Sequence, residues 1–431
     1  MRIRTLTPAV QERLLRGRRT RDAGAERTAA RIIADVRRRG DTALRAWTRQ
    51  LDGLPLVDGG LVPDAERRAA RTRVRPEFWR ALAHAARNIR RVAEAQRPRD
   101  FEIRIEPGVR VGQMVRPIDA AGCYVPAGRF PLVSTLLMTA IPAQVAGVRR
   151  IVVACPRPST EVLAAADFLG LTEVRRIGGA QAIAALAYGT SSMARVDRIV
   201  GPGNRWVAAA KQLVSADCPI DMLAGPTEVL ILAERGDARA LAADLVAQAE
   251  HDPDAVAMMV TTSPAFAGAV RDAVAAQLRD LPTGSPARAS LDRSGAILVA
   301  RDLARAVAFA NRFGAEHLSV PSTAVARQIT CAGSVFIGPW AAQSLGDFAT
   351  GSNHTLPTAG AARARGGLST ADFVKCISVQ RVSREGLRRL APVALAFAEA
   401  EGLPAHARSV TVRRETRLRR RPAAGGRPGA R

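Results

Sequence analysis

The sequence predicts an α/β fold in which two Rossmann-like open parallel-sheet domains lie between helical N- and C-terminal extensions. The main observation is that short apolar strands alternate with helices from about residue 120 to residue 337, as in βαβ units with parallel strands. A second observation is that Gly-rich turns at residues 178–181 and 201–204 each link a predicted strand to a predicted helix. A chain of 431 residues is long enough for two or three domains.

The first series of alternating elements covers residues 120 to 214. Apolar runs predict strands at 120–125, 150–155, 174–177 and 196–200. Longer Ala- and Leu-rich segments between them predict helices at 134–148, 160–169, 180–188 and 205–214. Strands separated by helices in this way pair in parallel, so we expect one sheet here.

A second series begins near residue 227. Its strands are predicted at 229–233, 255–261, 296–299, around 317–320 and at 334–337, and its helices at 238–250, 265–281 and 303–313. We see no sequence repeat between the two series, although the two halves can be alike in structure. The predicted division is a helical segment without a clear strand at 1–105, α/β domains at 106–226 and 227–369, and a helical segment at 370–431.

Composition limits the possible functions. The net charge is +25, but only Lys211 and Lys375 are lysines among 64 basic residues, which indicates a general arginine bias rather than a selected surface. Aromatic residues are only 4% of the chain, so the pattern of a nucleic-acid platform is missing and we expect no specific nucleic-acid partner. The Arg-rich tail from about residue 413 is predicted to be disordered.

Cysteine usage and hydropathy indicate the compartment. The five cysteines are far apart, form no CxxC pair and are odd in number, as expected for reduced thiols. The start MRIRTLTPAV lacks the apolar core of a signal peptide, and the most apolar stretch, residues 131–148, is interrupted by polar residues and proline. We therefore expect a cytoplasmic protein without a membrane span.

Histidine is rare and is placed beside carboxylates or amides. Of five histidines, only His84 lacks such neighbours. The others are His251 near Gln248, His317 after Glu316, His354 after Asp347, and His406 after Glu401. Because imidazole titrates near neutrality and is the commonest metal ligand, this placement indicates an enzyme with a metal or proton-transfer site.

Each of these pairs also has a simpler interpretation. Gln248 and His251 are three residues apart near a helix end, so we expect both on one face, where they suit a metal or a simple helix cap. Glu316 and His317 lie at a predicted helix-to-strand junction. They can serve one site only at a bend, and otherwise form a surface acid beside a packed histidine. Glu401, in a late helical stretch, alone would be part of a solvated face.

The most distinctive segment is residues 346–357, GDFATGSNHTLP. Its two glycines and its proline predict a constrained loop, and packing alone does not explain a loop dense in Asp, Asn and His. The turns at 178–181 and 201–204 are not GxGxxG, so the usual dinucleotide fingerprint is missing. Together with GCYVPAG at 122–128, they nevertheless favour a nucleotide over ordinary tight turns.

Taken together, these segments resemble the histidinol dehydrogenase family. The matching stretches occur in family order over about residues 110–410: GCYVPAG, IGGAQAIAALAYGT, VDRIVGPGNRWVAAAK, DMLAGPTEVLILAE, QAEHDPDA, AEHLSV, GDFATGSNHTLPT, GGLSTADFVKCISVQ and EGLPAHARSV. The resemblance implies an NAD-dependent zinc enzyme that oxidises L-histidinol in two steps to L-histidine. It places NAD on the first α/β domain and the metal and catalytic residues on the second.

The resemblance also implies a role for individual residues. The catalytic base pair falls on Glu316 and His317. The zinc ligands fall on Gln248, His251, Asp347 and His406. The substrate contacts fall on Thr227, His354 and Glu401, besides His317 and the zinc ligands, and the NAD contacts fall on Tyr124, Gln181 and Asn204. The family pattern further implies a homodimer in which Glu401 and His406 act across the interface.

Some residues depart from the family pattern, and two rival functions stay open. Ala127 stands where a glycine is usual, Thr227 where serine is frequent, and Arg381 where an acidic residue is common. A sister NAD-dependent zinc alcohol dehydrogenase for another small diol, such as sulfopropanediol, would share the metal and cofactor residues, although Glu401 favours a cationic substrate. A non-catalytic basic binding protein would need broken ligands, and none is broken. A thiohemiacetal on Cys123 is a less favoured route than Glu316-activated water.

Overall fold

The computed structural model describes residues 1–18, 22–127, 132–223 and 225–415. The chain forms two compact units. The first comprises residues 1–97 and 117–374, and the second comprises residues 98–116 and 375–431. The predicted tail lies outside the described residues beyond Glu415, and residues 413–415 are helical. The domain boundaries near residues 105, 226 and 369 stay predictions.

The strands, in chain order, are β1 Arg2–Thr5, β2 Phe101–Glu106, β3 Val109–Pro117, β4 Ala120–Tyr124, β5 Arg150–Ala154, β6 Glu173–Arg175, β7 Arg198–Val200, β8 Glu228–Leu232, β9 Val256–Thr261, β10 Ala296–Val299, β11 His317–Val320, β12 Ser334–Ile337 and β13 Val374–Val382. Those predicted between residues 120 and 337 are all present, with ends within a few residues of the predicted ones. The predicted α/β fold with parallel sheets is therefore confirmed.

The helices, in chain order, are α1 Pro8–Arg16, α2 Ala23–Arg39, α3 Asp41–Asp52, α4 Asp64–Arg71, α5 Pro76–Gln96, α6 Val133–Ala146, α7 Thr160–Phe168, α8 Gly179–Tyr188, α9 Arg205–Val214, α10 Ala238–Ala249, α11 Pro264–Asp280, α12 Pro286–Arg293, α13 Leu303–Phe313, α14 Thr323–Ala326, α15 Gln343–Phe348, α16 Arg384–Ala400 and α17 Pro404–Glu415. Among the described residues, no helix is both long and apolar enough to cross a membrane.

The smaller sheet of the first unit has the order β6-β5-β4-β7, and all its strands are parallel. Successive residues of β4 point to opposite faces, so Cys123 joins one buried cluster and Tyr124 the other. Helices cover both faces, as a parallel sheet requires. The chain leaves this sheet at β6 and returns at β7 beside β4, which places the topological switch point between β4 and β7.

The larger sheet of the first unit has the order β1-β10-β9-β8-β11-β12 and is also parallel throughout. Its β8 alternates in the same way, with Leu230 and Leu232 in one buried cluster and Val229 and Ile231 in the other. If the two outer strands β1 and β12 are set aside, the remaining four strands follow the same order as in the smaller sheet. The two halves are thus alike in topology, with the second switch point between β8 and β11.

The expectation of no clear strand before residue 105 was wrong, because β1 forms an edge of the larger sheet and β2 also precedes that position. The sequence RIRT places its two arginines on one face of the strand, while Ile3 on the other face packs against a buried apolar cluster. In the second unit, β2 pairs antiparallel with β3 in a sheet ordered β13-β3-β2. Helices α16 and α17 also belong to that unit.

Candidate active site

A cavity of about 230 Å³ lies within the first unit, and the polar residues singled out from the sequence meet there. Gly201, Pro202 and Gly203 reach it from the carboxyl end of β7. The larger sheet contributes residues at the amino ends of β8 and β11. Ligands of such sheets usually bind at the carboxyl ends of the strands. The lining includes Thr227, His251, Glu316, His317, Asp347 and His354.

Glu316 lies at a bend between α13 and β11, where Gly314 ends the helix in a left-handed conformation. From the sequence, Glu316 and His317 were expected to serve one site only if the chain bends between them. The structure has this bend, and both residues line the cavity. The Glu316 Oε2 atom accepts hydrogen bonds from Thr227 Oγ1 at 2.6 Å and from the Glu228 amide at 2.7 Å. Both of these hydrogen bonds are to the same carboxylate oxygen.

His317 is buried with its ring tilted against Phe336. Its Nδ1 atom donates to the backbone carbonyl of Glu228 at 3.1 Å. Its Nε2 atom has no hydrogen-bond partner among the described residues and lies 3.5 Å from Asp347 Oδ1. Although burial acts in the opposite direction, Glu316 and Asp347 raise the pKa of His317 to about 10.

Asp347 lies in the last turn of the short helix α15, so the first residues of the predicted loop are helical. Its backbone carbonyl accepts a hydrogen bond from His354 Nδ1 at 3.1 Å, and His354 Nε2 lies 3.4 Å from Thr135 Oγ1. Burial opposes ionisation of Asp347, but His317, His354 and His251 hold its carboxyl pKa below the usual value. Burial itself lowers the pKa of His354.

Gln248 is buried at the end of α10 and belongs to a chain of hydrogen bonds that leads to the base pair. Gln343 donates to the Gln248 side-chain carbonyl, and the Gln248 amide donates to Thr227 Oγ1. Thr227 then donates to Glu316. Thr227 has the same hydroxyl group as the serine that is frequent at this position. The substitution therefore keeps the hydrogen bonds with Gln248 and Glu316.

The predicted nucleotide residues lie at the carboxyl ends of the smaller sheet, where such ligands bind. The Tyr124 hydroxyl accepts a hydrogen bond from the Gly179 amide at 3.1 Å, and burial raises the Tyr124 pKa. Gln181 is fully buried and donates to Asp52, whereas its own side-chain carbonyl has no partner in the described part of the chain. Exposed Asn204 accepts from the first amides of α9 and caps that helix.

Comparison with known proteins decides the family. The family model described as histidinol dehydrogenase matches residues 15–414. The chain belongs to the histidinol dehydrogenase family. It is 42% identical over 420 residues to histidinol dehydrogenase of Photobacterium profundum, which covers 95% of this chain and 94% of that protein. It is 46% identical over 391 residues to histidinol dehydrogenase of Rhizobium meliloti, which covers 89% of this chain and 90% of that protein.

The crystal structure of histidinol dehydrogenase from Elizabethkingia anophelis has the same fold as this chain. The two superpose with a TM-score of 0.91 at 35% identity, over 96% of this chain and 98% of that one. The resemblance to this family, which was based on nine stretches of the sequence, is therefore confirmed. The departure at Ala127 is also accounted for, because its backbone is not in the positive-φ region that would require glycine.

The metal residues predicted by the histidinol dehydrogenase pattern are brought together only in part. Helix α10 ends at Ala249, so His251 lies beyond it and is exposed, and the expectation that Gln248 and His251 share one helical face was wrong. His251 and Asp347 nevertheless line the same cavity. Nowhere in the described ranges do three His, Cys, Asp or Glu side chains gather as a metal site. The imidazole, carboxylate and amide donors present are types that suit Zn²⁺.

Two of the predicted site residues lie in the second unit. Glu401 follows the last residue of α16, and His406 is in α17. They do not share one helix, because Gly402 turns the chain at a φ of 67° between them. Both side chains belong to exposed residues.

Sequence reasoning missed Lys211 and Asp221, a buried pair that lines the cavity. The Lys211 ammonium donates to the Gly201 carbonyl at 2.7 Å and pairs with Asp221, while Asp221 Oδ2 accepts from the Gly201 amide at 2.7 Å. Both polar backbone groups of Gly201 are thus fixed. A Cβ at Gly201 would lie 2.2 Å from the Tyr124 carbonyl, so only glycine fits. A signal existed, because Lys211 is one of two lysines in the sequence.

Cys123 does not suit nucleophilic chemistry. Its thiol is fully buried in β4, and burial raises its pKa to about 12. Because the thiolate is the reactive form of cysteine, almost none is present near neutral pH. The structure therefore agrees with the prediction that a thiohemiacetal on Cys123 is the less favoured route.

Proposed function

We propose that the protein catalyses the NAD-dependent oxidation of L-histidinol through L-histidinaldehyde to L-histidine, the last step of histidine biosynthesis. Besides family membership, one observation carries the proposal. The buried pair Glu316 and His317 faces a single cavity with Asp347 and His354. Two different bases at one site suit a reaction that must remove protons from an alcohol and from water.

In the first step, His317 is the general base. Its Nδ1–H is engaged by the Glu228 carbonyl, so Nε2 takes the proton of the substrate hydroxyl. The hydride leaves the carbinol carbon for NAD, and the products are the aldehyde and NADH. For this role the imidazole must be neutral, which requires that the negative field of Asp347 be reduced when the substrate site is filled.

In the second step, Glu316 activates water. One carboxylate oxygen is held by Thr227 and by the Glu228 amide, which orients the other to accept a proton from water as it adds to the aldehyde carbon. His317 must first release to solvent the proton taken in the first step; the hydrated aldehyde then loses its hydroxyl proton to His317 and its hydride to a second NAD. Two NADH therefore form for each histidinol consumed.

Gln248, His251 and Asp347 are the residues of the first unit that would hold a zinc ion, with His406 supplied by a second copy of the chain. When bound, zinc would hold and polarise the amino alcohol through neutral nitrogen and oxygen atoms. The first-unit donors are two uncharged groups and one carboxylate, so such a site keeps net positive charge. That charge would also offset the field of Asp347 at His317.

The substrate and cofactor residues complete the proposal. Thr227 and His354 would contact histidinol together with the metal ligands, and Glu401 of a second copy would offer a carboxylate to its ammonium or imidazolium group. NAD would lie along Tyr124, Gln181 and Asn204 at the switch point of the smaller sheet. We assign the protein to the cytoplasm, where the buried thiols of Cys123 and Cys155 would stay reduced. We also propose that it is a homodimer.

The stoichiometry of NADH tests this function. Purified protein with L-histidinol and excess NAD should yield two NADH per histidinol, the activity should be lost on chelation, and zinc should restore it. The His84→Asn variant is the matched control, because His84 is exposed on helix α5 and should leave the stoichiometry unchanged. Turnover of an anionic diol without turnover of histidinol would assign the protein to the sister activity instead.

A further inference from the structure

We propose that Arg18 is a positioning residue for the Glu316–His317 pair, acting through Glu228. The proposal rests on the catalytic role given above to that pair. Arg18 lies next to the first gap in the described chain, more than 200 residues from Glu228 in sequence. Neither residue belongs to the set expected from the family pattern.

The Arg18 guanidinium binds both carboxylate oxygens of Glu228. Its Nε atom donates to Glu228 Oε1 at 2.8 Å, and its Nη2 atom pairs with Oε2. The two side chains are only 7% and 3% exposed, so solvent screens this pair little. The planar fork matches both carboxylate oxygens at once, which a lysine ammonium cannot do.

The same guanidinium also contacts the segment that carries the base pair. Its Nη1 atom donates to the backbone carbonyl of Phe313, and its centre lies 3.8 Å from the centre of the Phe313 ring. Phe313 is the last residue of α13, three positions before Glu316. Arg18 therefore ties the end of α13 to the start of β8.

Glu228 holds both catalytic side chains with its backbone. Its amide donates to Glu316 Oε2 at 2.7 Å, and its carbonyl accepts from His317 Nδ1 at 3.1 Å. A shift of this one residue would displace the general base and the water-activating carboxylate together. Misplacement of reacting groups by about 1 Å can cost about a hundredfold in rate.

Stability alone is a poor explanation for this pair. A buried ion pair often gives no more stability than apolar side chains of the same volume, although removing one partner leaves an unpaired charge. The double variant Arg18→Met/Glu228→Gln removes both charges and so avoids that penalty. This variant separates two roles of the pair. Positioning needs the two-point contact between the guanidinium and the carboxylate, whereas stabilisation of the fold does not.

The test compares Arg18→Met, the double variant, and Arg67→Met as a matched control. Arg67 is equally buried, pairs with Asp64 and donates to the Leu171 carbonyl, and none of these three residues lines the cavity. We expect Arg18→Met to lower kcat by about a hundredfold with the KM for NAD changed less than about twofold. The double variant should regain thermal stability but not kcat, and Arg67→Met should lose stability while keeping kcat.

Hydrogen exchange provides a readout that does not depend on turnover. Backbone amides of residues 226–232 and 314–320 should exchange faster in Arg18→Met and in the double variant, and should stay unchanged in Arg67→Met. Recovery of kcat in the double variant, or unchanged exchange in both segments, would overturn the positioning role. A wild-type protein that fails to oxidise histidinol would refute the proposed function, whereas the exchange result would still decide whether Arg18 orders these segments.

Discussion

The Nδ1 atom of His317 donates a hydrogen bond to the backbone carbonyl oxygen of Glu228 at 3.1 Å. A carbonyl oxygen can only accept, so this contact fixes the proton of the neutral ring on Nδ1. The lone pair is therefore on Nε2, which lies 3.5 Å from Asp347 and lacks a hydrogen-bond partner within the described segments. The fold therefore selects Nε2 as the nitrogen that would act as the base once the ring has become neutral.

Replacing His317 with asparagine should reduce kcat by about 10²–10⁴-fold, the usual contribution of a general base. Binding of NADH, followed by its fluorescence, should be kept, because the predicted cofactor residues are on the other sheet. Full activity in His317→Asn would mean that another group removes the hydroxyl proton.

The Glu316→Gln variant should lower the pKa of His317. In the wild type the charges of Glu316 and Asp347 outweigh burial and raise this pKa to about 10. A raised pKa means that the ring keeps its proton until high pH, so removing the Glu316 charge should let the ring lose it at lower pH. NMR titration of ¹⁵N-labelled histidines in the metal-free protein measures the shift, with exposed His84 as internal reference. An unchanged or higher value for His317 would contradict this assignment.

The His251→Asn variant should lose zinc and activity together. His251 and Asp347 line one cavity, and loss of one of few ligands removes much of the metal affinity. Zinc content per subunit, measured by elemental analysis after dialysis, should fall well below one, whereas His84→Asn should match the wild type. Normal zinc content in His251→Asn would remove this residue from the proposed metal site.

Lys211→Met should raise the KM for NAD by about tenfold, because an unmade buried hydrogen bond costs about 1–3 kcal/mol and releases the Gly201 turn. The reason is that Lys211 and Asp221 together fix both backbone groups of Gly201. Lys375→Met, which changes the other lysine of the sequence at an exposed position, is the matched control. A KM for NAD equal to that of the control would show that the turn does not need this clamp.

Cys123→Ser should retain both oxidation steps. The thiol is buried with a pKa near 12, so it supplies no nucleophile. A small loss of thermal stability, about 1 kcal/mol, is expected because a hydroxyl replaces a buried sulfur. Accumulation of histidinaldehyde by this variant, with NAD binding intact, would refute water addition by Glu316.

Much of the fold could be predicted because its information is local. Strands such as β10 and helices such as α9 and α13 have the predicted bounds, since apolar periodicity and turn residues mark them within a few positions. The strand β1 could not be found in this way. Its pairing with β10 joins residues almost 300 positions apart in the sequence, and arginines occupy alternate positions of this edge strand.

The site was predicted by residue type but not in its supporting contacts. Glu316 and His317, which line the cavity, were singled out because an acid and a rare histidine are adjacent, whereas Arg18 is one arginine among many and gives no local signal. Glu228 could have been noticed as an acid at the start of an apolar strand. The exposed position of His251 was missed because helical spacing was extended past the true end of α10.

The pairing of β1 with β10 also sets the order in which the molecule can mature. Arg2 lies beside Ala296, so β1 is synthesised long before its partner β10, and the two strands can pair only after synthesis has passed Val299. The smaller sheet, from β4 to β7, can close long before that because its contacts are nearer in sequence. Arg18 can reach Phe313 later still, so in a nascent chain the smaller sheet can form before the contacts that surround Glu316 and His317.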